Sequence, residues 1–231
     1  MDIKAQMPIN TMPEAAQIFP GVYRSGESLM TKNLIPGERS LTEQLVKIGG
    51  TEYRVWDHWK SKAAAAIRKG LKNFPIKDGS KILYLGLASG STASFFSDII
   101  GKSGIIYGVE ISERSLRDAN LVAEKRGNIV PVLANARLPE AYSWAEKVDI
   151  VYQDVATDDQ SEILIRNCKA FLKKDGFAMI AIKARSIDVT KEPKEVYRQE
   201  LEKLKKEFQV MEKVELDPFE KDHMFVVLKW R

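Results

Sequence analysis

Cysteine occurs once in this chain of 231 residues, at Cys168, and histidine only twice, at His58 and His223. A single thiol closes no internal disulfide, which fits a reducing, intracellular setting, and so few imidazoles and thiols cannot build a zinc cluster. No metal-ligand set is therefore expected. No apolar run approaches the ~20 residues of a membrane span. The opening MDIKAQMPIN has neither the basic start nor the apolar centre of a signal peptide. Both absences lead to the expectation of a cytoplasmic chain without a membrane partner. Internal repeats and low-complexity tracts are missing as well, which sets aside solenoids and biased linkers. The net charge is a modest +4, compatible with a polyanionic partner but no argument for one.

What is present suffices for a core: 44% of the residues are hydrophobic, in a length that fits one ordinary domain plus a small appendage. The chain is organised around Lys81 to Ser112, KILYLGLASGSTASFFSDIIGKSGIIYGVEIS. Ile82 to Leu85 is too short for a helix and apolar enough for a buried strand. A small-residue turn follows, Gly86-Leu87-Ala88-Ser89-Gly90-Ser91-Thr92, then a helix ending near Gly101 and a second strand, Ile105 to Val109, that stops at Glu110. Glu110 lies 20 residues past Gly90, about the spacing at which dinucleotide-binding units set an acid on a ribose diol. A pyrophosphate turn calls for a third glycine, yet Ala93 or Ser94 stands there and hydroxyls crowd the helix start. Small residues at Gly86, Ala88 and Gly90 still admit a ligand close to backbone. This favours S-adenosylmethionine, which has a ribose and a charged tail but no phosphate, over a nicotinamide cofactor. The plainer alternative is a tight turn without a ligand.

Residues 1–55 read as a small β-rich domain, broken by Pro8, Pro13, Pro20 and Pro36 and by five glycines, with short strands at Val22–Arg24, Leu29–Thr31 and Tyr53–Val55. Its size suggests a docking surface. Residues 56–231 carry the catalytic domain. Lys60 to Leu71, with four consecutive alanines, predicts a helix closed by Pro75 and Gly79. Ser112 caps a helix to about Lys125, Asn128–Leu133 is a third strand, and Pro139 opens a short helix. Val148–Gln153 is a fourth strand, ending at Asp154. Thr157 to Gln160 has capping-box spacing for a helix running to Lys174, with Gly176 as its stop. Phe177–Ile182 is a fifth strand, ending at Lys183. Pro193 opens a last helix whose face holds Tyr197, Leu201, Leu204 and Phe208. Val210–Leu216 and Met224–Trp230 pair antiparallel around Asp217-Pro218. The fold class is α/β: a doubly wound, seven-stranded, mostly parallel Rossmann-like sheet of the class I methyltransferase kind. Between Thr51 and Lys77, seven Lys/Arg face two acids, with Trp56 and Trp59 among them; this is either a solvated helix face or a nucleic-acid surface.

Ligands of such sheets bind at the carboxyl ends of the strands. Gly86, Glu110, Asp154 and Lys183 all stand at such ends, and Asn135 just past the third strand. Methyl transfer to a ribose hydroxyl needs alignment and a group to take a proton. A neutral lysine can take it, a state favoured by cationic neighbours and partial burial. Lys183 and Asp154 come from adjacent strands, Lys62 can reach the rim from the N-terminal helix, and His223 begins the last strand. A solvated lysine and a turn histidine are the plainer readings of the last two.

The stretches RVWDHWKSKAAAAI, LYLGLASGSTASFFSDIIG, YGVEIS, VDIVYQDVATDDQ, MIAIKARSID and DHMFVVLKW, with FPGVY and TKNLIPGERS before them, resemble fibrillarin. That family comprises the 2′-O-methyltransferases of box C/D RNA-guided particles. No glycine/arginine-rich tail is present, so the likeness is to the archaeal type. The resemblance implies S-adenosyl-L-methionine as cofactor and a catalytic set of Lys62, Asp154, Lys183 and His223. It further implies cofactor contacts at Ser91, Thr92, Glu110, Ile111, Asn135, Ala136, Asp154, Val155, Ala156, Thr157 and Gln160, besides the turn positions Gly86, Ala88 and Gly90. Two departures bear on cofactor affinity: Asn135 stands where the family has aspartate, and Thr157 where it has glutamine. The implied function is guided methylation of rRNA and tRNA, with a box C/D guide RNA, a coiled-coil Nop-type scaffold protein and a kink-turn-binding ribosomal-like protein. The rivals are a class I methyltransferase for proteins or small molecules and a catalytically silent assembly subunit.

Overall fold

The computed structural model describes residues 14–231. Residues 1–13 of the expected N-terminal domain, with Pro8 and Pro13, lie outside the described residues. Five short strands form an antiparallel sheet: β1 (Ala16–Phe19), β2 (Val22–Ser25), β3 (Ser28–Lys32), β4 (Leu45–Ile48) and β5 (Thr51–Val55), in the order β1-β2-β3-β5-β4. β1 and β4, the two edges, escape the sequence reading. Each has four residues and little fully buried surface, too weak a pattern to count as alternation.

The larger sheet holds β6 (Lys81–Leu85), β7 (Ile105–Glu110), β8 (Ile129–Leu133), β9 (Val148–Gln153), β10 (Leu172–Lys183), β11 (Phe208–Glu215) and β12 (His223–Trp230), in the order β11-β12-β10-β9-β6-β7-β8. Strands β6 to β10 run parallel, and β12 enters antiparallel between β10 and β11. Helices α1 (Lys62–Arg68), α2 (Ser91–Ile100), α3 (Glu113–Arg126), α4 (Gln160–Phe171), α5 (Ala184–Ile187) and α6 (Pro193–Leu204) complete it. Ile82 and Tyr84 pack with α1, α2 and α3 on one face, Leu83 and Leu85 with α4 and α6 on the other. Burial on both faces is why these strands read as unbroken apolar runs. The chain leaves β6 outward through β7 and β8, then returns to β9 on β6's other side. The strand order thus reverses between β6 and β9, the place where open α/β sheets hold ligands.

Several expected boundaries are corrected. Helix α1 ends at Arg68, not Leu71, because Gly70 turns the chain at φ 96° well before Pro75. Helix α4 ends at Phe171, not Lys174; Leu172 is already extended, and Gly176 lies within β10 rather than stopping a helix. Phe208 opens β11 instead of extending α6. The capping box at Thr157 does not form: Asp159 occupies the cap without a side-chain bond, and Gln160 turns inward. Trp56 is a core residue, 1% exposed and stacked on Phe95 at 5.3 Å, so the two tryptophans of the basic stretch do not share a surface.

The two sheets share a core cluster, in which Val22, Leu29 and Trp56 join Phe95, Phe96 and Ile99 of α2. Beside it lies a buried charge network. Arg54 of β5 donates to Ser94 O, Ser94 Oγ and Asp98 Oδ2 at 2.7–2.8 Å, and pairs with Glu43 at 2.8 Å. Arg126 of α3 pairs with the other oxygen of Asp98, which also accepts from Leu34 N at 2.9 Å.

Candidate functional site

The site grows from the turn after β6. Asp154 N donates to Leu85 O at 2.9 Å, which seats the end of β9 directly against that turn. A Cβ at Gly86 would lie 2.4 Å from the Asp154 carbonyl oxygen, and Gly86 sits at φ 82°, so only glycine fits. Ala88, at φ 51°, continues the left-handed bend. Its N–H donates to Glu110 Oε2 at 2.8 Å, while Ser112 N donates to Glu110 Oε1 at 2.8 Å. The carboxylate is thereby fixed at the tip of β7 by two backbone donors, and each of its oxygens keeps acceptor capacity to spare.

A cavity of about 290 Å³ opens here, lined by Gly86, Ala88, Glu110, Ile111, Asn135, Ala136, Asp154, Val155, Ala156 and Thr157 among the residues expected from sequence. Gly90, Ser91, Thr92 and Gln160 do not line it. Gly90 is the cap residue before α2 and packs against α3, where a Cβ would meet Ala119 and Val122 at 3.6 Å. Ser91 is the first residue of α2. Thr92 is buried and its Oγ1 donates to Ser61 Oγ at 3.0 Å. Sequence reasoning missed Val109, Ala134, Arg137 and Ile163 in the wall. Arg137 could have been found from its place in the Asn135-Ala136-Arg137 turn. Its guanidinium binds Asp159 through two bonds of 2.7 and 2.8 Å, joining the turn after β8 to the start of α4. Asn135 Oδ1 accepts from Arg137 N at 2.9 Å, so one lone pair of this side-chain oxygen is already used.

The catalytic candidates gather at the same rim. Ser61 caps α1 and aims Lys62 across it; Lys62 Nζ lies 2.9 Å from Asp154 Oδ2 and 3.9 Å from Glu220 Oε1. Glu220 is a residue that sequence reasoning overlooked, since nothing local marks a surface-loop glutamate. Lys183 and His223 are direct partners across the β10–β12 ladder. His223 is buried, and its Nδ1 stands 2.7 Å from the Lys221 carbonyl. A carbonyl can only accept, so Nδ1 carries a proton, and in the neutral ring the lone pair is then on Nε2. Gln160, fully buried, brackets the backbone of Lys183: its Oε1 accepts from Lys183 N at 3.0 Å and its Nε2 donates to Lys183 O at 3.2 Å. Among the described residues no side chain pairs with the Lys183 ammonium, and no group of three or more metal-ligating side chains gathers.

A family model described as Fibrillarin matches residues 10–231. The chain is 52% identical over 218 residues to the fibrillarin-like rRNA/tRNA 2′-O-methyltransferase of Thermococcus gammatolerans, covering 91% of this chain and 96% of that one. It is similar in structure to Aeropyrum pernix fibrillarin in complex with natively bound S-adenosyl-L-methionine, at a TM-score of 0.86, 44% identity and coverage of 94% and 99%. It is likewise similar to a chain of a fibrillarin/Nop5p complex, at a TM-score of 0.85, 38% identity and coverage of 92% and 98%.

Proposed function

This chain belongs to the fibrillarin family, and from that premise we propose how its rim residues carry out S-adenosyl-L-methionine-dependent methylation of RNA ribose 2′-oxygens. The observation that carries the reading is the ion pair Lys62–Asp154, of which Asp154 also lines the Glu110 cavity. Binding and reacting positions therefore meet at one residue.

The residues present fit the cofactor. Glu110, pinned by two N–H groups, is placed to accept from a ribose diol, and Gly86 keeps the approach to backbone open. When bound, S-adenosyl-L-methionine supplies an electrophilic methyl group on its sulfonium. Lys183 Nζ, in its neutral form, takes the proton of the 2′-hydroxyl as the oxygen attacks. Lys62 and Asp154 align that hydroxyl, and alignment is most of what methyl transfer needs. His223 Nε2 offers a lone pair beside Lys183 through which the proton can leave. Ile111 and the short side chains of Ala136 and Ala156 leave the nucleoside wall apolar and shallow.

The substrates are rRNA and tRNA, selected by a box C/D guide RNA. A Nop5p-type scaffold is the protein partner, as in the relative crystallised with it, and a kink-turn-binding protein completes the particle. We place this work in the cytoplasm with its RNA substrates; among the described residues no helix is long and apolar enough to cross a membrane. The test is methyl incorporation into guide-matched RNA by the reconstituted particle, with and without guide. Guide-dependent labelling of a ribose 2′-oxygen is expected. Labelling of protein or small molecules alone would point to the rival methyltransferase, and binding without turnover to an assembly subunit.

A further inference from the structure

The chemistry above leaves unused an aromatic cluster at the edge of the site. Trp56 and Trp59 stand three residues apart, yet Trp56 enters the core at 1% exposure while Trp59 stays 52% exposed. A lone exposed ring would need no explanation, but Trp59 is held in place. Its ring meets Phe219 edge-on at 5.0 Å, and Phe219 meets His58 edge-on at 4.6 Å, an arrangement aromatic rings favour. Phe219 packs on the core, and its N–H donates to Leu216 O at 2.9 Å. Trp59 N donates to Asp57 Oδ1 at 2.9 Å, which fixes the loop before α1.

Both sides of this cluster lead to the ion pair. Trp59 precedes Lys62 by three residues, so their Cα atoms lie within about 11 Å. Phe219 is followed by Glu220, whose carboxylate stands 3.9 Å from Lys62 Nζ. We propose that Trp59, backed by Phe219, is a stacking platform for a base of the RNA strand that carries the target ribose. The proposal rests on the RNA methyltransferase reading and adds a binding residue to it. Charge alone would not hold a strand here, because the cations Lys60 and Lys221 alternate with Asp57 and Glu220. Stacking would, and every base has a π face, so the contact tolerates any sequence. That is what an enzyme directed by a separate guide requires of its own surface.

The experiment is methyl transfer by the reconstituted particle at varied target RNA concentration. Trp59→Ala should raise the KM for RNA about 5- to 150-fold, the span of one stacked base, with S-adenosylmethionine affinity unchanged. Trp59→Phe and Trp59→Tyr should recover most of the loss, and Trp59→Leu little, since leucine restores apolar area without a π face. Trp144→Ala, which removes an exposed tryptophan packed on Tyr107 away from the cavity, should leave KM as it is. An unchanged KM in Trp59→Ala, or leucine performing as well as phenylalanine, overturns the platform. Loss of scaffold binding by Trp59→Ala also overturns it and assigns the ring to a protein contact. A wild-type chain that methylates no RNA refutes the methyltransferase reading itself, and the platform with it.

Discussion

At the scale of single residues, the two ends of the site make separable demands. Glu110 accepts two backbone N–H groups as well as lining the cavity, so Glu110→Ala removes the proposed ribose contact and unties the turn that shapes the pocket. Calorimetric titration should show S-adenosylmethionine binding weakened by roughly 1–3 kcal/mol, the range for a buried polar partner left unsatisfied. Glu110→Gln, which keeps one acceptor, should lose less; equal losses would mean the charge alone matters. In the proposed role Lys183 acts on the hydroxyl, and Lys183→Ala should then cut the single-turnover rate by roughly 10²–10⁴ with little change in cofactor affinity. Lys183→Arg should fail nearly as badly, because a guanidinium keeps its proton; rescue by arginine would leave Lys183 a mere clamp. Gln160 acts through Lys183, holding both its backbone groups. Gln160→Ala should therefore lower the rate while arginine or alanine at position 183 masks the effect, a non-additivity that two independent roles would not show.

At the scale of elements, much was legible in the sequence, and the reasons for the rest are particular. Strands β6, β7 and β9 announce themselves because both faces are buried, and Glu110 and Asp154 follow from where those strands stop. Lys173, Lys174 and Asp175 look helix-compatible, yet Asp175 adopts φ 61° and Lys173 ties to Asp149 at 2.7 Å, a contact between distant segments with no local signal. Gln160 is similar: its spacing suggests a cap, but its amide finds Lys183, 23 residues on. The network joining β5, α2 and α3 was equally invisible, and it makes a prediction. Burial would raise the Glu43 carboxyl, but the Arg54 charge and the N–H groups of Ser40 and Leu41 outweigh it and hold it below the usual range. Burial, then the Arg54 charge, lowers the Arg126 guanidinium, so the two cations depend on Asp98 between them. Asp98→Asn should destabilise by about 3–5 kcal/mol in denaturant titration, the cost of leaving buried charge uncompensated. Arg54→Met should cost less, since Asp98 keeps Arg126, Thr31 and Leu34; the reverse order would refute this account. The tie from Arg137 to Asp159 is more exposed. Arg137 holds Asp159 below the ordinary carboxylate value, so its contribution is complete above that ordinary value and fades as pH falls through the depressed one. Between pH 6 and 3 the Tm advantage of wild type over Asp159→Asn should be small at the top and shrink toward zero.

At the scale of the whole molecule, the question is how an enzyme of such modest charge handles a polyanion. A chain that grips RNA alone neutralises many phosphates, and its affinity falls steeply with salt. Here the net charge is +4, and many cations are spent within the protein: Arg54 and Arg126 are buried, while Lys62, Arg137 and Arg185 pair with acids at the rim. No base-reading module occupies the larger sheet, whose carboxyl edge is given to the cavity and the catalytic side chains. The core of the small N-terminal sheet is continuous with that of α2. Such a molecule can hold a cofactor firmly while holding RNA weakly. The isolated protein should therefore bind S-adenosylmethionine by calorimetry with an affinity unaffected by scaffold or guide. Its methylation of free RNA should be slow and scattered over sites. Addition of guide and scaffold should raise the rate and confine the methyl group to one nucleotide, chiefly by lowering the KM for RNA. The part of that gain carried by protein cations on phosphates should shrink as salt is raised. Site-selective methylation by the chain alone at moderate salt would show that it reads RNA by itself, and this division of labour would have to be abandoned.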